Sequence, residues 1–335
     1  MSEIRVNNLS NESLSGGPTI SGITTFSSPY FFVPPQGDTA SRPQSCPPGS
    51  LRFNTDSAKL EYFRGNTIGW TEIEAELTAP LGGGTGSNTG LGTRGMTAGG
   101  NTPTSQDKIE YVTISTFGNT QDFGDLTFAA TGVAGSASNT RGIFNGTGNP
   151  ATNTIQFITI ASTGDAVDFG DNTVGTTGYR NSLANQTRSV TGGANSSSNV
   201  MDYVTIASTG DAVDFGDCTA ENNNSSDGGC GSATRGLFHT RTPNNAGSYF
   251  YYNIATQGNA AEFGDEINSG NNTLAGGSNA VRGLFQGGYG TNAITAVTIS
   301  TLGSAFDFGD QTTTRYTAGA AASKTRYVTI AGQGF

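Results

Sequence analysis

A single histidine, His239, leaves this chain without the imidazole clusters from which zinc and copper centres are built. It also stands without the serine and carboxylate context that a nucleophilic triad needs. Cysteine is scarce too: Cys46, Cys218 and Cys230 are too few and too irregularly spaced for a disulfide framework. Cys218 and Cys230 are near enough in sequence to pair, but two free thiols are the simpler expectation. Only 13% of residues are charged, the net charge is −10, and no basic block occurs, so a nucleic-acid partner is not expected. There is no apolar run of about 18 residues, which argues against membrane insertion. No charged-then-apolar leader is visible, and the expectation is a soluble protein kept in a reducing compartment until assembly.

What the chain has in abundance is glycine, 50 residues in 335, together with Thr, Ser and Asn. Such residues supply the positive φ angles of tight turns. Disorder would go with high charge and few aromatics, whereas 19 Phe and 11 Tyr recur here at regular places. An all-β chain of many short strands is the expectation.

The regularity is a repeat. An acid-Phe-Gly-Asp phrase places its phenylalanine at 123, 169, 215, 263 and 308, a period of about 46 residues. Its clearest setting is Tyr203-Val204-Thr205-Ile206-Ala207-Ser208-Thr209-Gly210-Asp211-Ala212-Val213-Asp214-Phe215-Gly216-Asp217. Four strand-like pieces can be traced per unit. The first is an arginine strand beginning at Arg94, Arg141, Arg188, Arg235, Arg282 and Arg326. The second, of the Tyr-Val-Thr-Ile kind, starts at Tyr111, Phe157, Tyr203, Tyr251 and Ala296. The third runs into the acidic phrase, and the fourth is a variable small-residue piece. Four strands per unit with glycine-rich corners are the pattern of a β-propeller blade, and the small-Gly-Gly ending before a Tyr strand is kelch-like. A β-solenoid ranks second. Five full units plus a terminal arginine strand favour five blades, with six as the alternative if the arm or a neighbour completes one.

The region before the repeats divides in three. Residues 1–46 are polar and proline-punctuated, which suits an extended arm. The arm carries one apolar island, Phe26, Tyr30, Phe31, Phe32 and Val33, which either folds back or inserts into a neighbouring subunit; the second is favoured, as particle anchoring. Residues 47–75 read as a small β-meander, with strands Leu51–Asn54, Lys59–Phe63 and Trp70–Ile73, and with Leu60, Tyr62 and Trp70 sharing a face with Phe53. Residues 76–93 read as a linker. Its Gly82-Gly83-Gly84-Thr85-Gly86 lacks the lysine of a phosphate loop. Residues 94–335 hold the repeats.

Gly49-Ser50-Leu51-Arg52-Phe53-Asn54-Thr55-Asp56, with Lys59-Leu60-Glu61-Tyr62 and Trp70, is similar to a module of tailed-phage fibre and other virion proteins. The repeats resemble those of virion structural proteins from marine cyanophages. Together the two likenesses span roughly residues 47–333. They imply a virion component made in the host cytoplasm, attached to other virion proteins through residues 1–75 and present in multiple copies or as a homo-oligomer. Its place could be tail, fibre, baseplate or head. The alternative is a receptor-binding module whose propeller loops take a host surface glycan.

Three further readings concern chemistry. Asp165, Asp168, Asp171, Asp211, Asp214 and Asp217 form oxygen-rich stretches that suit Ca²⁺. The preferred reading is structural: turns at the Asp-Gly steps, with Arg141, Arg188, Arg235, Arg282 and Arg326 bridging to Asp125, Asp171, Asp217, Asp265 and Asp310. Apart from Ca²⁺, no cofactor is expected. Asp-Phe-Gly also marks protein kinases, but there it stands once, beside a catalytic loop that this chain lacks. Tyr249 is a surplus aromatic, either core or a sugar-stacking platform. Paired acids that are the pattern, rather than exceptions to it, do not suggest a catalyst.

Overall fold

In the computed structural model the described residues are 33–73, 83–84, 94–101, 103–175, 180–194, 198–218, 228–241, 247–267, 274–288, 290–316, 319–323, 325–330 and 332–334. All regular structure among them is β, in several small, mostly antiparallel sheets, with no helix. The chain divides into two compact units, Met1–Glu76 and Leu77–Phe335.

The first unit is one four-stranded sheet, Gln36–Gly37, Leu51–Asn54, Lys59–Phe63 and Trp70–Glu72, in that order. Gln36–Gly37 lies parallel to Leu51–Asn54, so the sheet begins inside the stretch read as an extended arm. A two-residue strand held by backbone bonds alone leaves no side-chain periodicity to read. Trp70 lies opposite Phe63, which puts it on the face of Arg52, Asn54 and Glu61, not on that of Phe53, Leu60 and Tyr62. Directly opposed residues in an antiparallel pair share a face. That face is the buried one: Arg52 is 5% exposed, Asn54 1%, Glu61 0% and Phe63 2%. The Glu61 carboxylate sits between two guanidiniums, Arg42 at 2.6 Å and Arg52 at 3.2 Å. The indole N–H of Trp70 donates to the Pro43 carbonyl at 3.0 Å. Residues 38–43 therefore cover a charged face rather than an apolar one.

In the second unit the repeat becomes a four-stranded meander. Ala134–Ala137, Arg141–Gly148, Ala151–Thr159 and Val167–Asp171 form one such sheet. The pattern recurs in Asn181–Ala184, Arg188–Ala194, Ser198–Thr205 and Val213–Asp217. It returns in Gly229–Gly231, Arg235–Arg241, Gly247–Asn253 and Ala261–Asp265, and again in Ala275–Ser278, Arg282–Gln286, Ala293–Thr298 and Phe306–Asp310. The first repeat gives three strands, Arg94–Ala98, Gln106–Thr113 and Gln121–Ala130. Among the described residues the last arginine strand, Tyr327–Ile330, pairs only with Gly319–Ala322. Gly83–Gly84, in the stretch read as linker, pairs with Gly229–Gly231 as an added strand.

The apolar core lies between consecutive repeats rather than within one. One cluster joins Leu183, Val190, Met201 and Phe215 to Phe238, Phe250, Tyr252 and Ile254 of the following repeat. Another joins Leu237, Tyr249 and Phe263 to Phe285, Val297 and Ile299. Two further clusters link the first repeat to the second and the second to the third. A single four-stranded meander buries too little apolar surface to stand alone, so each repeat depends on its neighbours.

Cys218 and Cys230 are free thiols in two different clusters. Desolvation pushes the Cys218 thiol up to about 12 and the Cys230 thiol higher still. Both stay protonated in the native state at pH values where an unfolded thiol ionises. The native state then binds more protons than the unfolded one, and their contribution to stability falls as pH rises past about 8.5. Alkylation with iodoacetamide at pH 8 is expected to label only the half-buried Cys46, and all three cysteines once denaturant is added. Native labelling of Cys218 or Cys230, read by mass spectrometry, would contradict this burial.

Candidate inter-repeat joint and its open end

The acid-Phe-Gly-Asp phrase is a β-bulge, not a turn. In the second repeat Gln156 opposes Asp168 and Ile155 opposes Gly170, leaving Phe169 as the extra residue. The same shift leaves Phe123, Phe215, Phe263 and Phe308 unpaired in the other repeats. A bulge bends the strand and re-aims one side chain, here driving the phenylalanine into the core. Phe123, Phe169, Phe215 and Phe263 are only 2–3% exposed, a burial of about 1.5–3 kcal/mol each. Each meets the aromatic of its own second strand edge-on, as Phe157 and Phe169 do with ring centroids 5.7 Å apart.

The bulge carries the contact between repeats. Gly210 N–H donates to Phe169 O and Ala212 N–H to Asp171 O, both at 2.8 Å. The Asp171 N–H returns a bond to the Asp211 carboxylate at 3.1 Å. The same set joins Phe123 and Asp125 to Gly164, Asp165 and Ala166; Phe215 and Asp217 to Gly258, Asn259 and Ala260; and Phe263 and Asp265 to Gly303, Ser304 and Ala305. Glycine is required because the next turn lies directly on it. A methyl group at Gly170 would stand 2.5 Å from the Gly210 carbonyl, and Gly124, Gly216 and Gly264 face the same clash. Gly124, Gly170, Gly216 and Gly309 also hold φ between +139° and +154°.

The repeat arginines complete the joint, but not as salt bridges. Arg94 donates to Ile160 O, Arg141 to Ile206 O, Arg188 to Ile254 O and Arg235 to Ile299 O, always in the following repeat and at 2.7–3.1 Å. Each guanidinium also lies over an aromatic of its own sheet, from Arg94 over Tyr111 at 4.6 Å to Arg235 over Tyr251 at 4.8 Å. Among the described residues no ion pair joins Arg141, Arg188, Arg235, Arg282 or Arg326 to Asp125, Asp171, Asp217, Asp265 or Asp310. The expected bridge is corrected to a carbonyl contact. A strand end between sheets leaves a carbonyl in need of a donor, while Asp125, Asp171, Asp217 and Asp265 meet the next repeat through their main-chain groups and the Asp125 carboxylate pairs with Lys108.

The other expected sites fare as follows. Asp165 and Asp211 accept backbone N–H groups, and among the described residues no group of three or more His, Cys, Asp or Glu is arranged to hold a metal. Asp168, Asp171, Asp214 and Asp217 therefore do not gather into a calcium cage with them. Tyr249 is fully buried, packed on Phe285 with ring centroids 4.7 Å apart, and hydrogen-bonds Thr295. It opposes Gly264 of the bulge, the core position that Ile155 holds opposite Gly170, so the sugar-platform reading is corrected. His239 pairs with Glu266 at 2.8 Å, both side chains buried. Phe26, Tyr30, Phe31 and Phe32 lie outside the described residues, and Val33 is 61% exposed. The sequence reading missed Arg180, wholly buried against Asp202 at 2.6 Å and bonded to the Gly193, Thr191 and Val200 carbonyls. Nothing in the repeat pattern signals it, because it occurs once.

Both ends of the series are open. Among the described residues the fifth copy receives no turn: Phe308 is 48% exposed, and a methyl group on Gly309 would meet nothing within 4 Å. Arg282 has no following Ile carbonyl and instead lies over Phe308 at 5.5 Å. At the other end the turn of the first repeat, at Gly118, bonds to no bulge among the described residues, and Arg326 lies over Phe117 at 5.2 Å. Between them stands the pair Gly319–Ala322 and Tyr327–Ile330, with Arg326 donating to Ile114 O of the first repeat at 2.7 Å. A methyl on Gly95 would lie 2.9 Å from the Ala321 methyl, much as one on Gly283 would abut Cys230 of the repeat before it. A cleft of about 120 Å³ opens here, bordered by Arg282, Leu284, Phe308, Ala322, Arg326 and Tyr327.

No protein-family model matches the chain, and no curated protein matches it.

Two substitution tests follow from the joint. Arg235→Ala should lower stability by about 2–3 kcal/mol, from a lost charged hydrogen bond and ring contact, read as an urea midpoint shift. Gly170→Ala should cost several kcal/mol or prevent folding, whereas Gly309→Ala should cost only backbone strain, about 1–2 kcal/mol. Equal losses would show that the turn does not sit on the bulge.

Proposed function

We propose that the protein is a non-enzymatic structural component of a tailed-phage particle, whose Leu77–Phe335 unit is a kelch-like β-propeller and whose Met1–Glu76 region serves attachment. The observation that carries this reading is the use made of the acids. Four of the five acid-Phe-Gly-Asp phrases are spent on joints between repeats, the fifth forms the same bulge, and none stands apart as an acid–base pair. The likeness of the repeats to cyanophage virion proteins points the same way. The burial of Tyr249 removes the aromatic that favoured glycan binding.

For the propeller, support comes from the order of contacts. Arginine-to-isoleucine bonds step from the first repeat to the fifth, skip Arg282, and resume at Arg326, which returns to Ile114 of the first. Counting the arginine strands at 94, 141, 188, 235, 282 and 326 then gives six sectors rather than five. The sixth consists of Gly319–Ala322 and Tyr327–Ile330. Closure of this kind removes the bare ends that a linear stack would leave.

The test is electron cryomicroscopy of the isolated protein and of particles from the phage that encodes it. A toroidal domain on the particle, joined to a neighbouring protein through the N-terminal region, is the expected result. Particles without this chain would refute the virion reading, and an extended stack of sheets would refute the propeller.

A further inference from the structure

We propose that the cleft between the fifth repeat and the terminal strand is a strand-acceptor site, taking an acidic β-hairpin from another polypeptide as the outer half of the sixth sector. The inference rests on the six-sector reading above. The complete joints define the occupant, because the bulge and the arginine of the fifth repeat are present here with their counterparts missing among the described residues. Phe308 and Asp310 form the bulge that elsewhere receives a glycine turn, and the space over Gly309 is empty. Arg282 is exposed and lacks the carbonyl that Arg94, Arg141, Arg188 and Arg235 each find. Among the described residues Tyr327–Ile330 pairs on one side only, leaving an edge for backbone addition. Gly118, the counterpart of Gly164, Gly210, Gly258 and Gly303, makes none of the bonds to a preceding bulge that those four make among the described residues.

The partner's chemistry follows. Its first strand must end in a carbonyl placed for Arg282, its turn must carry glycine to lie on Gly309, and a carboxylate after that glycine would accept the Asp310 N–H as Asp211 accepts that of Asp171. Its second strand must carry a bulge to receive the turn at Gly118. Arg282 and Arg326 line the cleft without an ion-pair partner among the described residues, so acidic character suits the guest. The chain's own third repeat meets these requirements over residues 201–217, including Ile206, Gly210, Asp211 and Phe215.

A fluorescent peptide of residues 201–217 is therefore the probe. With the full chain it should bind saturably, one per protein, in fluorescence anisotropy, and slow amide exchange across Tyr327–Ile330. Arg282→Ala, at an exposed site, should weaken binding about tenfold or more, the loss expected for one charged hydrogen bond. No binding, or binding indifferent to Arg282→Ala, overturns the proposal. A second arm separates this from the underlying architecture: Gly95→Cys with Ala321→Cys, in a Cys46→Ser background, should form a disulfide between the first and last sheets. If the disulfide forms and the peptide does not bind, the acceptor site alone falls. If the disulfide does not form, the six-sector reading falls and the proposal with it.

Discussion

The structure of the larger unit depends on one backbone device, a bulged strand that presents two carbonyls to the turn of the following repeat. The bulge does three things at once. It sends a phenylalanine into the core, sets glycine where the neighbour must approach, and aims Phe and Asp carbonyls at Gly and Ala N–H groups. Each role falls to a different residue of the same four-residue phrase. The weak charge content becomes intelligible on this basis. Much of the adhesion between repeats is apolar burial plus backbone hydrogen bonding, and neither needs ionised side chains.

The arginine serves a related need. A strand that ends between two packed sheets has a carbonyl that neither sheet satisfies, and an unsatisfied buried carbonyl is costly. A long side chain from the preceding repeat reaches it while its guanidinium plane covers an aromatic ring. The same residue thus ties its own sheet to the next. Cation and carbonyl, rather than cation and carboxylate, form the pair, which avoids stripping water from two full charges.

Much of the fold was legible because it repeats. The spacing of Phe123, Phe169, Phe215, Phe263 and Phe308 locates the sheets, and alternation in Leu51–Asn54 and Lys59–Phe63 locates the smaller one. What was not legible depends on register. Trp70 falls on the face of Glu61 because Phe63 pairs with it, and a one-residue difference in register reverses the face. Tyr249 reads as surplus until its place opposite Gly264 is known. The arginine partners were misread because charge suggests aspartate, while the carbonyls they satisfy belong to every residue type and leave no mark in a sequence. Arg180 with Asp202, and Glu61 between Arg42 and Arg52, are single occurrences with no second copy to reveal them.

The side chain that answers the bulge N–H changes along the chain: Asp165, Asp211, Asn259, then Ser304. A carboxylate gives way to an amide and then to a hydroxyl, with the last contact lengthening to 3.4 Å. Charged acceptors make stronger hydrogen bonds than neutral ones. The side-chain share of the joint therefore declines from the first complete seam to the fourth, while the two backbone hydrogen bonds recur in all of them.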